Sequence, residues 1–290
     1  MRSRINGDEG AASAPSTRIG FIGAGRIGEP MVERLLAVGH PVVLYARRAE
    51  VRQRLAAAGA AVVDDPRDVA VAEVVVSCLY SDAQVLEVLP AVVRAMDTGT
   101  VLVSHTTGTP STLARLAEAN VAGRAAIVDA PFSGTAEAIT QGRLTVYLGG
   151  DTAHVESARR VVSAYAEPVI ATGARGSALR VKLLNNLLFA AISQVTLRGL
   201  EAGRAMGVAE QTLLDALAVS SGGSNAARYI AGRGGSGSYI AGVTPFLRKD
   251  VAACRDVAAE LGLDLSALLD AAGDGPMDVA CTPVEKGVRR

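Results

Sequence analysis

Residues 18–31 read RIGFIGAGRIGEPM: a short apolar run, a glycine cluster, then the start of a second apolar pattern. RIGFIG has the composition of a strand, and EPMVERLLAVG, residues 29–39, that of a helix ending at Gly39. Between them Gly23, Gly25 and Gly28 keep the G-x-G-x-x-G spacing at a strand-to-helix junction, the context in which that motif binds a dinucleotide. Gly23 permits the tight turn, Gly25 the approach of backbone to a pyrophosphate, and Gly28 the packing of helix on strand. Together with Ala24, Arg26 and Ile27 they make a loop whose amides and helix dipole attract phosphate.

The same rhythm runs outward from this loop. PVVLYA (41–46), AAVV (60–63), EVVVSCL (73–79), TVLVSH (100–105) and AAIVDA (125–130) read as strands. Helical patterns separate them at 48–59 and around 84–95 and 111–119, and a further strand, helix and strand follow at 142–150, 152–166 and 167–173. Strands that are apolar throughout, instead of alternating, fit a parallel sheet covered on both faces. The predicted fold class is therefore α/β: an N-terminal doubly wound Rossmann domain, then an all-α C-terminal domain entered through a long interdomain helix. After Gly176 a helical pattern extends to about Met206, with further helices at 210–220 and 244–262. The glycine- and serine-rich segment between them, SGGSNAARYIAGRGGSGSYIAG (221–242), reads as a flexible connection. The expected division is a mobile extension at 1–17, a cofactor-binding domain at 18–175 and a helical substrate and oligomerisation domain at 176–290.

Composition narrows the function. Lysine plus arginine and aspartate plus glutamate each number 29, so no basic excess points to nucleic acid. No window approaches the roughly 20 apolar residues of a membrane span, and the first residues lack the apolar run of a secretory signal. Cys78, Cys254 and Cys281 have neither metal-ligand spacing nor a disulfide pattern, which fits a reducing compartment and a cytoplasmic location. His40, His105 and His154 form no constellation, so no metal site is expected.

Cofactor choice falls on the end of the second strand, where an NAD site carries an acid for the ribose 2′-hydroxyl. Here the residues are Arg47 and Arg48, which favour a 2′-phosphate, so NADP is expected over NAD. Leu79 follows another strand end, where it can flank the nucleotide. In ALRVKLLNNLLFAA (178–191) helical spacing puts Lys182, Asn185 and Asn186 on one face, continued by Phe189 and Ser193. The remaining faces are so apolar that a homodimer or higher homo-oligomer is expected to cover them.

Four blocks, GFIGAGRIGEPM (20–31), DAPFSGTAEAITQGRLTVYLGG (129–150), GARGSALRVKLLNN (173–186) and FLRKD (246–250), resemble the β-hydroxyacid dehydrogenase family, which includes 3-hydroxyisobutyrate dehydrogenase and tartronate semialdehyde reductase. The resemblance implies hydride transfer between a nicotinamide and a small 3-hydroxy acid or its semialdehyde. It implies Lys182 as general acid and base and Asn186 as its companion on the reacting oxygen, with Asn185 alongside. It also implies that Ser133, Gly134 and the neighbouring Thr135 hold the substrate carboxylate, and that Lys249 and Thr107 lie on the cofactor side of the cleft. Phe132 stands where the family has valine, and Thr135 and Ala178 where it has glycine; the C-terminal part is shorter than the family's. Two other readings remain: an imine reductase, which the retained Lys182 disfavours, and a non-catalytic NADP-binding protein on the same scaffold.

Overall fold

The computed structural model describes residues 16–279; the extension expected at 1–17, up to position 15, and Cys281 lie outside the described residues. The chain begins as six strands alternating with helices. These are β1 (Ile19–Ile22), α1 (Gly28–Ala37), β2 (Val42–Tyr45), α2 (Ala49–Ala57), β3 (Ala61–Val63), β4 (Val74–Ser77), α3 (Asp82–Ala95), β5 (Val101–Ser104), α4 (Pro110–Ala119) and β6 (Ala126–Asp129). They pair in the order β3-β2-β1-β4-β5-β6, all parallel. The order reverses beside β1, so the crevice for a ligand opens at that strand's carboxyl end.

Alternate residues of each strand feed opposite cores. Val74, Val76, Val101 and Val103 join one cluster with Met31, Leu35 and Val162, while Val75 and Leu102 join another with Leu89 and Val92. Each of these valines contributes about 1.5–3 kcal/mol by leaving water, which is why the runs stay apolar until their last residues, Ser77 and Ser104.

The sheet then departs from the purely parallel arrangement. After β6 come β7 (Phe132–Ser133), α5 (Ala136–Thr140), β8 (Leu144–Gly149), α6 (Thr152–Val162) and β9 (Ala166–Gly173). β8 is antiparallel to β6 and β7, and β9 is parallel to β8.

From Ser177 on, the described residues are helical: α7 (Ser177–Ala205), α8 (Glu210–Ala218), α9 (Asn225–Gly232), α10 (Ser236–Glu260) and α11 (Ser266–Gly273). Leu183, Leu187, Leu197 and Leu200 of α7 meet Leu214, Ile230, Tyr239 and Val251 in a core of their own. The segment 221–242 is not the flexible connection its composition suggested, since α9 and the start of α10 occupy it. Ser224 caps α9 by accepting from Ala227 N at 3.1 Å, Glu210 accepts from Ser236 N at 2.8 Å, and Ala226, Ala227, Ile230 and Tyr239 are buried. Packing and caps outweigh the low helix propensity of glycine, and between α9 and α10 the chain breaks around Gly234 and Gly235, whose φ angles are 78° and 112°.

Candidate active site

The glycine loop sits at the carboxyl end of β1, and each glycine has a different reason to be there. Gly23 has φ 95°, and a Cβ on it would lie 2.4 Å from Cys78 O. A Cβ on Gly28 would lie 2.2 Å from Gly23 O, whereas one on Gly25 would meet nothing within 4 Å. Gly23 and Gly28 are thus dictated by the protein itself, and Gly25 keeps space open toward a ligand. The first turn of α1 has no side-chain cap; Glu29 N donates to Gly25 O at 2.9 Å and Pro30 has no N–H, so the amides left to an anion are those of Arg26, Ile27 and Gly28.

A cavity of about 290 Å³ opens beside the loop, lined by Gly23, Ala24, Gly25, Arg47, Arg48 and Leu79, together with Tyr80, Gln84, Glu87 and Val88. Arg47 and Arg48 are exposed on its rim, and Arg48 Nη2 is 3.5 Å from Ala24 O. Arg26 is exposed and Ile27 half-buried at the start of α1. Open space over Gly25, uncapped amides and two rim guanidinium groups fit a phosphate-bearing dinucleotide.

The second polar group lies where α7 and α10 meet the strand ends. Lys182 is 9% exposed, and burial lowers its ammonium to about 8, with Lys249 adding to the fall and Asp250 opposing it. Among the described residues no hydrogen bond or ion pair holds that ammonium. One turn on, Asn186 Nδ2 donates to Asp250 Oδ2 at 2.5 Å, and Asn186 Oδ1 accepts from Asn185 Nδ2 at 3.0 Å. The Asn186 amide, expected to donate to the substrate oxygen, therefore has one of its two hydrogens committed to Asp250.

Asp250 Oδ1 is buried without a hydrogen bond, 3.4 Å from Lys249 Nζ. Lys249 Nζ in turn donates to Thr107 O at 3.0 Å and lies 5.6 Å from the centre of the Tyr80 ring. Lys249 thus ties α10 to the loops after β4 and β5, and Tyr80 of the first of these also lines the cofactor cavity.

Ser133, Gly134 and Thr135 form the turn after β6. Ser133 pairs with Thr145 in the sheet, Gly134 has φ 139°, and the Thr135 hydroxyl caps α5 by accepting from Ala138 N at 3.4 Å. Among the described residues no hydrogen bond joins this turn to Lys182. Beneath it, His105 is buried and lowered to about 4 by that burial, so it is neutral. Its Nδ1 meets Ala130 O at 2.5 Å, a carbonyl that only accepts, so Nε2 accepts from Tyr165 OH at 2.8 Å. His105 is a strut, as its isolation in the sequence suggested.

Two residues of this arrangement escaped sequence reasoning: Asp250 and Tyr80. Asp250 adjoins Lys249 in FLRKD, and that adjacency was the one signal available. Among the described residues no group of His, Cys, Asp or Glu is arranged to hold a metal, and no helix is long and apolar enough to cross a membrane.

Comparison with known proteins places these features in company. Residues 18–173 match the family model for the NAD binding domain of 6-phosphogluconate dehydrogenase. Residues 176–273 match that for the NAD-binding domain of NADP-dependent 3-hydroxyisobutyrate dehydrogenase. The chain is 31% identical over 213 residues to the mitochondrial 3-hydroxyisobutyrate dehydrogenase of Rattus norvegicus, a match covering 72% of this chain and 64% of the rat enzyme. It therefore spans just under two thirds of that relative's length. Among solved structures, Mycobacterium tuberculosis 3-hydroxyisobutyrate dehydrogenase with L-serine superposes with TM-score 0.78 at 23% identity, over 91% of this chain and 97% of that one. An imine reductase from Pseudomonas sp. has TM-score 0.57 at 19% identity, over 91% and 97%. At these identities the two structures speak to the fold alone.

Proposed function

The chain belongs to the β-hydroxyacid dehydrogenase family, and from that premise we propose that it is an NADP-dependent oxidoreductase acting on a small 3-hydroxy acid or its semialdehyde. The observation that carries the proposal is the Lys182 ammonium: nine-tenths buried, lowered to about 8, and free of hydrogen bonds among the described residues. A lysine tuned to that range can give and take a proton near neutral pH, the requirement of a general acid and base.

Bound nicotinamide supplies or accepts the hydride. In reduction Lys182 donates its proton to the oxygen of the carbonyl as negative charge develops there; in oxidation the neutral amine takes the hydroxyl proton. Asn186, oriented by Asp250, presents its remaining amide hydrogen toward the same oxygen and holds the substrate in register. Ser133 and the backbone around Gly134 and Thr135 receive the substrate carboxylate, with Asn185 beside them. Gly23 to Gly28 would hold the pyrophosphate, Arg47 and Arg48 the 2′-phosphate, and Leu79 the flank of the nucleotide, with Thr107 and Lys249 on the cofactor side of the cleft. A division near 175/176 into cofactor and substrate halves belongs to the same reading.

Association of two or more copies belongs to it too. Val181, Leu184, Leu188, Ile192 and Val195 make an exposed apolar stripe along α7, between 39% and 67% exposed. Such a stripe suits burial against a second copy.

The imine reductase reading draws on the shared fold. The retained Lys182 and Asn186 weigh against it, and a non-catalytic role gives no reason to bury an ammonium. The test is NADPH consumption with semialdehydes, keto acids and a cyclic imine, on wild type and Lys182→Ala, repeated with NADH. Semialdehyde turnover that collapses in the variant is expected. Turnover of the imine alone, or none with NADPH bound, overturns the proposal.

A further inference from the structure

We propose that Asp129 is the positioning residue of this site, holding the first turn of α7, and with it Lys182, at a set place relative to Ser133. The inference rests on the roles proposed above for Lys182 and Ser133.

Asp129 ends β6 with no exposure. A carboxylate so placed is costly unless hydrogen-bonded, and this one is: Oδ1 accepts from Gly176 N at 2.7 Å and Oδ2 from Leu179 N at 3.0 Å. Both donors belong to the start of α7. That helix has no side-chain cap of its own, because the residue before it is Gly176, at φ 88°. Its cap comes instead from a strand 47 residues earlier. Capping by an acid satisfies otherwise orphaned amides and complements the helix dipole. Here it also fastens a helix to a sheet.

The surrounding residues leave the carboxylate little freedom. Gly149 on β8 pairs with Asp129, and a Cβ there would lie 2.6 Å from Asp129 Oδ1 and 3.0 Å from Ala178 N. The stretch that follows is pinned as well, since Ala130 N donates to Ser104 O at 2.7 Å and His105 holds Ala130 O. Four residues after Asp129 comes Ser133, and three residues after Leu179 comes Lys182, on the same side of the helix. One short segment therefore carries the substrate anchor at one end and grips the proton-bearing helix at the other. A misplacement of about 1 Å costs on the order of 100-fold in rate, so such a grip matters to turnover and not only to folding.

The experiment uses Asp129→Asn, which keeps the shape but turns a donor toward one of the amides, and Gly149→Ala, which displaces the carboxylate without removing its charge. Val162→Ala, in the sheet core, serves as a destabilised control. The first readout needs no substrate: the pH midpoint for acylation of the Lys182 amine, followed by mass spectrometry of its peptide. Asp250 and Lys249 on α10, the charged groups facing Lys182, are unchanged throughout. In wild type the midpoint is expected near 8. In both test variants it rises toward the ordinary lysine value as water reaches the loosened helix, and in the control it stays. Loss of the Asp129 charge alone would lower the midpoint, so a rise identifies displacement of the helix.

The second readout is turnover, where kcat is expected to fall about 10- to 100-fold in both variants while NADPH affinity holds within about twofold. Unchanged midpoints in both variants overturn the proposal, as does a control that shifts equally. If wild type reduces nothing, the functional reading fails on its own, and the midpoints still decide the place of Asp129.

Discussion

Asn186 on α7 and Asp250 on α10 are joined across the helical half by a 2.5 Å hydrogen bond, while the second carboxylate oxygen stays buried with no hydrogen bond of its own. Asp250 therefore orients the Asn186 amide and, through its charge, supports the protonated form of Lys182. Asp250→Asn keeps an acceptor for Asn186 and removes the charge, so Lys182 should titrate below about 8. In wild type, kcat/KM for reduction should decline as pH rises through about 8, because the protonated amine is needed, and oxidation should rise over the same interval. The variant should move both limbs to lower pH. A pair of pH–rate profiles checks this, and unmoved limbs would remove Asp250 from the account.

Holding a charged lysine in a core destabilises the fold. Lys182 falls from 10.5 to about 8, which corresponds to about 3 kcal/mol. Because the folded value is the lower one, this cost is fully present below pH about 8, shrinks between about 8 and 10.5, and vanishes above. Lys182→Met should abolish turnover yet raise unfolding free energy at pH 7 by up to that amount, with no gain above pH 10.5. Urea unfolding at several pH values measures it; a less stable variant at pH 7 would contradict it.

The two outer glycines of the loop should fail differently from the middle one. Gly25→Ala fills space that no protein atom occupies, so Tm should stay put while NADPH affinity falls by about tenfold or more. Gly28→Ala drives a Cβ to 2.2 Å from Gly23 O, so the loop itself must deform and both Tm and affinity should fall. Thermal melts with and without NADPH separate the two.

Arg47 stands exposed on the rim of the cofactor cavity. Replacing it with aspartate should weaken NADPH by about 10- to 100-fold, the value of one charge-assisted contact, and leave NADH unchanged or improved. Fluorescence titration with both reduced cofactors is the check, and equal losses for the two would reject the 2′-phosphate role.

Leu188 is 42% exposed in the middle of the α7 stripe. Leu188→Glu should shift the protein from an oligomer to a monomer by light scattering, with little change in Tm of the isolated chain. A wild type that is already monomeric would refute this.

Much of the fold and of the site is legible in the amino-acid sequence. The strand-loop-helix unit at 18–39 announces itself because its residues are local and obey a spacing. Arg47 and Arg48 come from counting to the end of the next strand; helical period puts Lys182 and Asn186 on one face, and only the family resemblance gives that face a role. What stays hidden is what the chain brings from afar. Asp129 meets Gly176 across 47 residues, and Asp250 meets Asn186 across 64, with nothing in either stretch to name its partner. The helices at 225–232 and from Ser236 are hidden differently: their glycines argue locally for a loop, and the caps from Ser224 and Glu210 with burial of Ala227, Ile230 and Tyr239 against α7 overrule them. The antiparallel turn of β8 has no sequence signature at all, since a strand reads the same whichever way it runs.

α7 is a single rod of 29 residues, gripped where it begins. Lys182 stands about 8 Å along it from Ser177, and Ala205 about 42 Å, at 1.5 Å per residue. A tilt of about one degree about the gripped end moves the lysine by ~0.1 Å and the far end by ~0.7 Å. Putting Lys182 near the fulcrum makes its amine nearly blind to swaying of the bundle. The distal helices are then at liberty to drift, by mutation or by thermal motion, while the place of Lys182 against the sheet holds still.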